Sequence, residues 1–247
     1  PISRSIRGTP LLAGLPREVA VLTLIAFFVA LGFGILFPSL PIYASTFGVN
    51  AFQAGMVISV FALVRFATSP LAGAMVNRLG ERTVLTSGLL IVSVSSFAAG
   101  FSQSYWQLLI LRGAGGLGSS MFTVSAMALL LRVVSSQQRG RASSAFHGGF
   151  LVGGVAGPAV GGLVVAWSIR APFFVYAVTL LFAAAVSLIF LSRAHIQERQ
   201  DEVSNHRANR SEELRAALRD RGYQAALAAN LVTGFVIFGL QIGRAHV

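Results

Sequence analysis

Six long apolar stretches dominate this chain, and each has the length needed to cross a membrane as a helix. They run Val19–Leu40, Phe52–Val76, Thr83–Phe101, Tyr105–Leu131, Ser143–Ala166 and Pro172–Leu191. A membrane helix needs about 20 mostly apolar residues. No strand-like alternation competes with these runs, and they are too long for the core helices of a soluble domain. Charged residues make up 11% of the chain, where a soluble domain carries about 25%. A water-soluble globule is therefore excluded. The first stretch is too apolar for too long to be a cleaved leader, and no small-residue cleavage site follows it. The expected fold class is all-α and polytopic, with residues 19–191 forming a six-helix transmembrane bundle.

The charge pattern gives an orientation. The net charge is +11, and every basic residue is an arginine. With the N-terminus inside, fifteen of the 19 arginines fall in cytoplasmic segments and only Arg170 falls outside. That bias is a strong positive-inside signal and predicts a cytoplasmic N-terminal segment over residues 1–18. The arginines form no patch interleaved with aromatics, so nucleic acid is not an expected partner. The chain has no cysteine, which excludes disulfides, thiolate zinc sites and thiol catalysis. No cofactor or metal is expected.

Residues 192–222 form the one long polar stretch and read as a cytoplasmic linker. Within it Ser211 caps a short helix that opens on Glu212 and Glu213. This linker is either solvated or an amphipathic helix on the inner leaflet. Tyr223–Gln241 reads as part of a seventh transmembrane helix. Residues 242–247 look like the in-frame translation of a sequencing adapter. A weak repeat runs through the bundle: Gly73 and Arg82 recur as Gly161 and Arg170, both 88 positions later. An offset of that size suits two three-helix units.

Four motifs carry the functional reading. After the second span comes Gly73-Ala-Met-Val-Asn77-Arg78-Leu-Gly80-Glu81-Arg82. A glycine turn lets two helices approach closely, and its charges can bond facing helix ends. In the fourth span Arg112 precedes Gly113, Gly115, Gly116 and Gly118. An intramembrane arginine costs about 2.5–3.5 kcal/mol on insertion scales and marks a pathway or a partner by default. The alternative is an arginine satisfied by backbone carbonyls, holding helices together. In the fifth span Gly149, Gly153, Gly157 and Gly161 recur every fourth residue and form a face for close packing. Pro158 lies among them with Gly162 close behind, and its missing N–H should bend the helix. The first span ends in Leu31-Gly32-Phe33-Gly34, followed by Pro38 and Pro41. Pro38 again lies four residues after a glycine, so the geometry around Pro158 is expected to recur.

These motifs, in this order over residues 19–191, resemble those of the major facilitator superfamily. The closest likeness is to its twelve-helix drug:proton antiporters. Gly73, Asn77, Arg78, Gly80 and Arg82 match the loop that braces the cytoplasmic gate in that family, with Asn77 where an aspartate is usual. Gly153, Gly157, Pro158, Gly161 and Gly162 match its antiporter motif. Gly32, Pro38 and Pro41 match its first-helix motif. The resemblance implies alternating access between two six-helix bundles, with the first and fourth helices of each lining the cargo site. Phe27, Phe33, Phe37, Gln107, Arg112, Ser119 and Thr123 are the candidates here. The cargo would be a small lipophilic or drug-like compound, with protons as coupling ion. A sugar or metabolite is the alternative within the same superfamily. The protein would be multi-pass in the plasma (inner) membrane and would work with a C-terminal half.

None of the acids lies within the six spans. Proton coupling usually uses an intramembrane carboxylate. Three explanations stay open: a carboxylate elsewhere in a longer protein, titration of His147, or uniport. Arg65 and Arg112 correspondingly lack an acidic partner in this stretch. At least one of them is expected to meet an acid of the other half or an anionic substrate. Two enzyme-like patterns are weak. Gly113-x-Gly115-x-x-Gly118 follows no strand and so fails as a dinucleotide fingerprint. Gly118-x-Ser120 with His147 hints at an intramembrane serine protease, but Met121 stands where a glycine is needed. Twelve helices would take roughly 400 residues. The chain, which opens at Pro1 and stops in its seventh span, therefore reads as just over half a transporter.

Overall fold

The computed structural model describes residues 14–191. The linker, the seventh apolar stretch and residues 242–247 lie outside the described residues. The helices are α1 (Arg17–Leu36), α2 (Ser39–Ser45), α3 (Ala51–Leu79), α4 (Glu81–Ala99), α5 (Tyr105–Val133), α6 (Arg139–Trp167) and α7 (Ala171–Phe190). All six expected spans are present, and α1 with α2 forms the first. At 29 residues each, α3, α5 and α6 are about 43 Å long, enough to exceed a hydrocarbon core of about 30 Å.

The caps explain where the helices start. Asn50 and Gln53 form a reciprocal capping box at α3. The Ser104 hydroxyl accepts from the Gln107 amide at the start of α5. Between α3 and α4 one residue does all the turning: Gly80, at φ +83° and ψ 154°. That conformation is costly for any residue with a Cβ. The fifth span starts at Arg139 rather than Ser143, because a single tight turn over Ser136–Gln138 leads straight into it.

The two prolines behave differently, which corrects the expectation that their geometry recurs. Pro158 sits inside α6, which runs unbroken from Arg139 to Trp167. At Pro38 the ladder is interrupted and α1 ends at Leu36. Phe37 and Pro38 nevertheless keep right-handed helical torsions. The interruption is therefore a missing rung and not a change of direction. Pro41 is tolerated because it falls in the first turn of α2, where its N–H would have no partner.

The packing has the two-by-three order that the repeat suggested. The first unit is α1 (with α2), α3 and α4; the second is α5, α6 and α7. The first helix of each unit packs on the second helix of the other, α1 on α6 and α5 on α3. Each also packs on the third helix of the other unit, α1 on α7 and α5 on α4, while α4 and α7 pack on each other. Burial follows the same order. Only 17% of the apolar stretch of α3 and of α6 is buried, against 61% and 56% for the spans led by α1 and α5. Hydroxyl contacts tie the helices together from within: Thr86 with Ser187 at 2.9 Å, and Ser93 donating to the Ala177 carbonyl at 2.8 Å.

Candidate transport site

Glycines place the backbones of this bundle, and polar side chains gather where the glycines let helices meet. On α5, two faces are stripped of side chains. A Cβ at Gly118 would lie 2.6 Å from the Gly88 carbonyl oxygen of α4. One at Gly116 would lie 2.5 Å from the Phe61 carbonyl oxygen of α3. The Gly113–Gly118 run is thus helix-packing glycine on both sides, wedging α5 between α3 and α4.

The α3–α5 seam holds the intramembrane polar groups. Arg65 donates from Nη2 to the Thr123 hydroxyl at 3.1 Å. One turn further along α3, the Thr68 and Ser120 hydroxyls share a hydrogen bond of 2.9 Å. Arg112 is 2% exposed, and its guanidinium carbon stands 4.4 Å from the centre of the Phe61 ring. Its Nε and Nη1 are buried without a hydrogen-bond partner. No carbonyl among the described residues accepts from those two nitrogens. The Phe61 face supplies a cation–π contact instead. Phe61 stacks on Phe33 of α1 at 6.0 Å, and Phe33 meets Phe37 at 5.5 Å and Tyr176 of α7 at 6.3 Å. Tyr176 lies within electrostatic range of both arginines.

Phe33, Phe37, Arg65, Arg112 and Thr123 are thus brought into one neighbourhood. Phe27 and Ser119 are half-buried, with Phe27 packed on Phe28 and the Ser119 carbonyl accepting from Thr123. Gln107 does not join them. It is exposed at the start of α5, where its Oε1 accepts from the Gln103 amide at 2.9 Å. There it lines a shallow outer groove with Phe97, Phe101 and Ile110. Five residues of helix turn it away from the face that carries Arg112. Phe61 and Tyr176 were missed by the sequence reading. Phe61 had one available signal, its i, i+4 spacing from Arg65 on α3.

At the Gly80 end, the loop motif is organised by residues beside the expected ones. Asn77 and Arg78 are exposed on the last turn of α3. Gly73 lies inside α3, with open space where a Cβ would go. The close approach expected at Gly73 is therefore absent, and the sharp turn belongs to Gly80 alone. The missed residue is Glu81, 2% exposed, whose carboxylate pairs with Arg132 of α5 at 2.5 Å. An acid is absent at position 77 and present four residues later, where the family pattern has a base. Beside it Arg82 donates to the Leu188 carbonyl of α7. The α3–α4 junction is thereby fastened to the ends of two other helices.

The antiporter motif meets the first-helix motif directly. Cβ atoms at Gly149, Gly153, Gly157 and Gly161 would strike Thr23, Phe27, Gly34 and Ile35 of α1 at 2.3–2.8 Å. The close-packing face expected on this helix therefore meets α1 within the bundle. Gly162 points to open space, and Pro158 touches the approach of Gly34. Gly32 faces the other way, where a Cβ would meet Thr179 and Tyr176 of α7.

The model of the Major Facilitator Superfamily matches residues 22–243, most of the chain. The chain belongs to this superfamily. Among curated relatives, the Quinolone resistance protein NorA of Staphylococcus aureus is 27% identical over 179 residues, which is 71% of this chain and 45% of the relative. Multidrug resistance protein 2 of Bacillus subtilis is 27% identical over 191 residues, 77% of this chain and 48% of the relative. The chain spans about half the length of the curated relatives it matches. Membership makes this facilitator chain part of a multi-pass membrane transporter and not of an enzyme. The serine-protease pattern also fails locally. Ser120 is bonded to Thr68 and the Leu117 carbonyl, while exposed His147 contacts its own helix at the Ser143 carbonyl.

Proposed function

We propose that the complete protein exports small lipophilic or drug-like compounds in exchange for protons. It would do so by alternating access between this bundle and a C-terminal one. One observation carries the reading: buried Arg112 stands on the Phe61 ring, which joins Phe33 and Tyr176 in an aromatic cluster drawn from α1, α3 and α7. Aromatic walls support an apolar cargo over a sugar, which needs many hydrogen-bond partners. The printed names of both relatives, a quinolone and a multidrug resistance protein, support the same class.

In this reading residues 1–18 and 192–222 are cytoplasmic. The membrane is the plasma membrane. Gly73, Asn77, Arg78, Gly80 and Arg82 then mark the cytoplasmic gate. The Glu81–Arg132 pair and the Arg82 contact hold that end of the first bundle together as it rocks. Gly153, Gly157, Pro158, Gly161 and Gly162, with Gly32, Pro38 and Pro41, form a stiff unit of α1 and α6 that moves as one body. Among the described residues the only carboxylates, Glu18 and Glu81, stand in the first turns of α1 and α4, so in this reading the proton-carrying acid belongs to the remainder of the protein.

The test uses the full-length protein in inverted membrane vesicles with Nile red, a neutral lipophilic dye. Uptake that needs a proton gradient and collapses when nigericin abolishes it is the expected result. Uptake no greater than in vesicles lacking the protein would overturn the export reading. Uptake indifferent to the gradient would overturn the coupling.

A further inference from the structure

We propose that Arg65 and Arg112 form a receptor for the anionic end of the cargo, a carboxylate carried on an aromatic or otherwise lipophilic body. This rests on the export reading above and narrows its substrate class.

The argument starts from charge balance. Among the described residues the only acids are Glu18, in the first turn of α1, and Glu81, already paired with Arg132. Neither reaches the interior of the bundle. Two guanidiniums therefore stand between apolar helices with no counter-charge from this bundle. A buried charge without a partner is unfavourable unless something else neutralises it. Arg112 is the more demanding of the two, since two of its nitrogens are buried and unbonded. A guanidinium presents a planar fork that matches a carboxylate.

The surroundings say what the rest of the ligand is. Arg65 is half-buried and uses Nη2 on Thr123, so Thr123 aims it across the α3–α5 seam. Arg112 lies behind the Phe61 ring, with Phe33 stacked beyond it. Arg65 is the less buried of the two, so an anion entering the seam meets it before Arg112. Half-buried Phe33 and Phe37 remain to hold a flat apolar body. Thr123 acts as a positioning residue for Arg65.

A carboxylate could also come from the remainder of the protein, and the test separates the two sources. The probes are dansylglycine and its methyl ester, which share an aromatic body and differ in one charge. Dissociation constants for both are measured on the purified full-length protein by dansyl fluorescence, beside its melting temperature. The expected result is a wild-type preference for the acid of about tenfold or more. That preference should fall toward one in Arg65→Gln and Arg112→Gln and persist in part in Arg65→Lys. Arg65→Gln keeps the test alive if Arg112→Gln does not fold, because Arg65 is the less buried site.

A wild type indifferent to the charge, with Arg→Gln variants that melt earlier, would mean that carboxylates of the protein itself fill the site. That result overturns the proposal. An acid preference that survives both Gln variants overturns it as well. Either outcome leaves the export reading standing if Nile red is still transported. Loss of Nile red export by the wild type would remove the export reading and this inference together.

Discussion

Two seams in this bundle are related by its internal repeat, yet they are built from opposite materials. In the α1–α6 seam, glycines at every fourth position of α6 bring it against the α1 backbone. In the α3–α5 seam, glycines also allow close approach, but Arg65–Thr123, Thr68–Ser120 and the Arg112–Phe61 contact fill it. One seam gains its tightness from shape. The other accepts polar groups that the membrane interior penalises. The same topological position thus holds a glycine-lined contact on one side and a cluster of polar and charged groups on the other.

The sharpest way to break the comparison is to overfill the apolar seam. Gly153→Leu would press a side chain into the Phe27 carbonyl oxygen, 2.3 Å from where the Cβ would stand. It should cost about 3 kcal/mol or prevent folding, read from melting in detergent. Gly154→Leu, one residue away in open space, should cost little. The polar side is anchored at one end by the Glu81–Arg132 pair. Glu81→Gln removes a carboxylate that is 2% exposed from an arginine that is 25% exposed. The loss should be about 2 kcal/mol, below the range for a fully buried pair, with melting again the readout. Within the α3–α5 seam, Thr68→Val should cost only about 0.6 kcal/mol, the mean for interhelical hydrogen bonds in membranes. A cost as large as that of Gly153→Leu would mean that the polar seam, too, is mainly structural. The smallest effect should come from Gly154→Ala, which faces open space and should stabilise α6 by about 0.5 kcal/mol.

The spans were legible because a membrane-crossing helix needs nothing from its neighbours to announce itself: length and apolarity suffice. The repeat was legible from two matched pairs, Gly73 with Gly161 and Arg82 with Arg170. Their surroundings were not, since Gly161 packs on Ile35 while Gly73 packs on nothing. Which face of each helix turns inward was hidden for a physical reason. A chain apolar all round has no polar stripe to orient it. That is why Gln107 was placed with Thr123 and why Phe61 and Tyr176 were overlooked. The isolation of Arg65 and Arg112 was readable, because acids can be counted without knowing any angle. Glu81 was passed over because it stands inside a motif read for its glycines and bases.

The most direct test of the division of labour uses the absence of cysteine from this chain. In a cysteine-free version of the full-length protein, Thr123→Cys probes the polar seam. Thr23→Cys probes the apolar one, where Thr23 lies against Gly149. Each variant is treated with a methanethiosulfonate reagent with and without dansylglycine. Slower labelling at position 123 in the presence of dansylglycine, with no change at position 23, is the predicted result. Equal protection at both positions, or protection at position 23 alone, would contradict it.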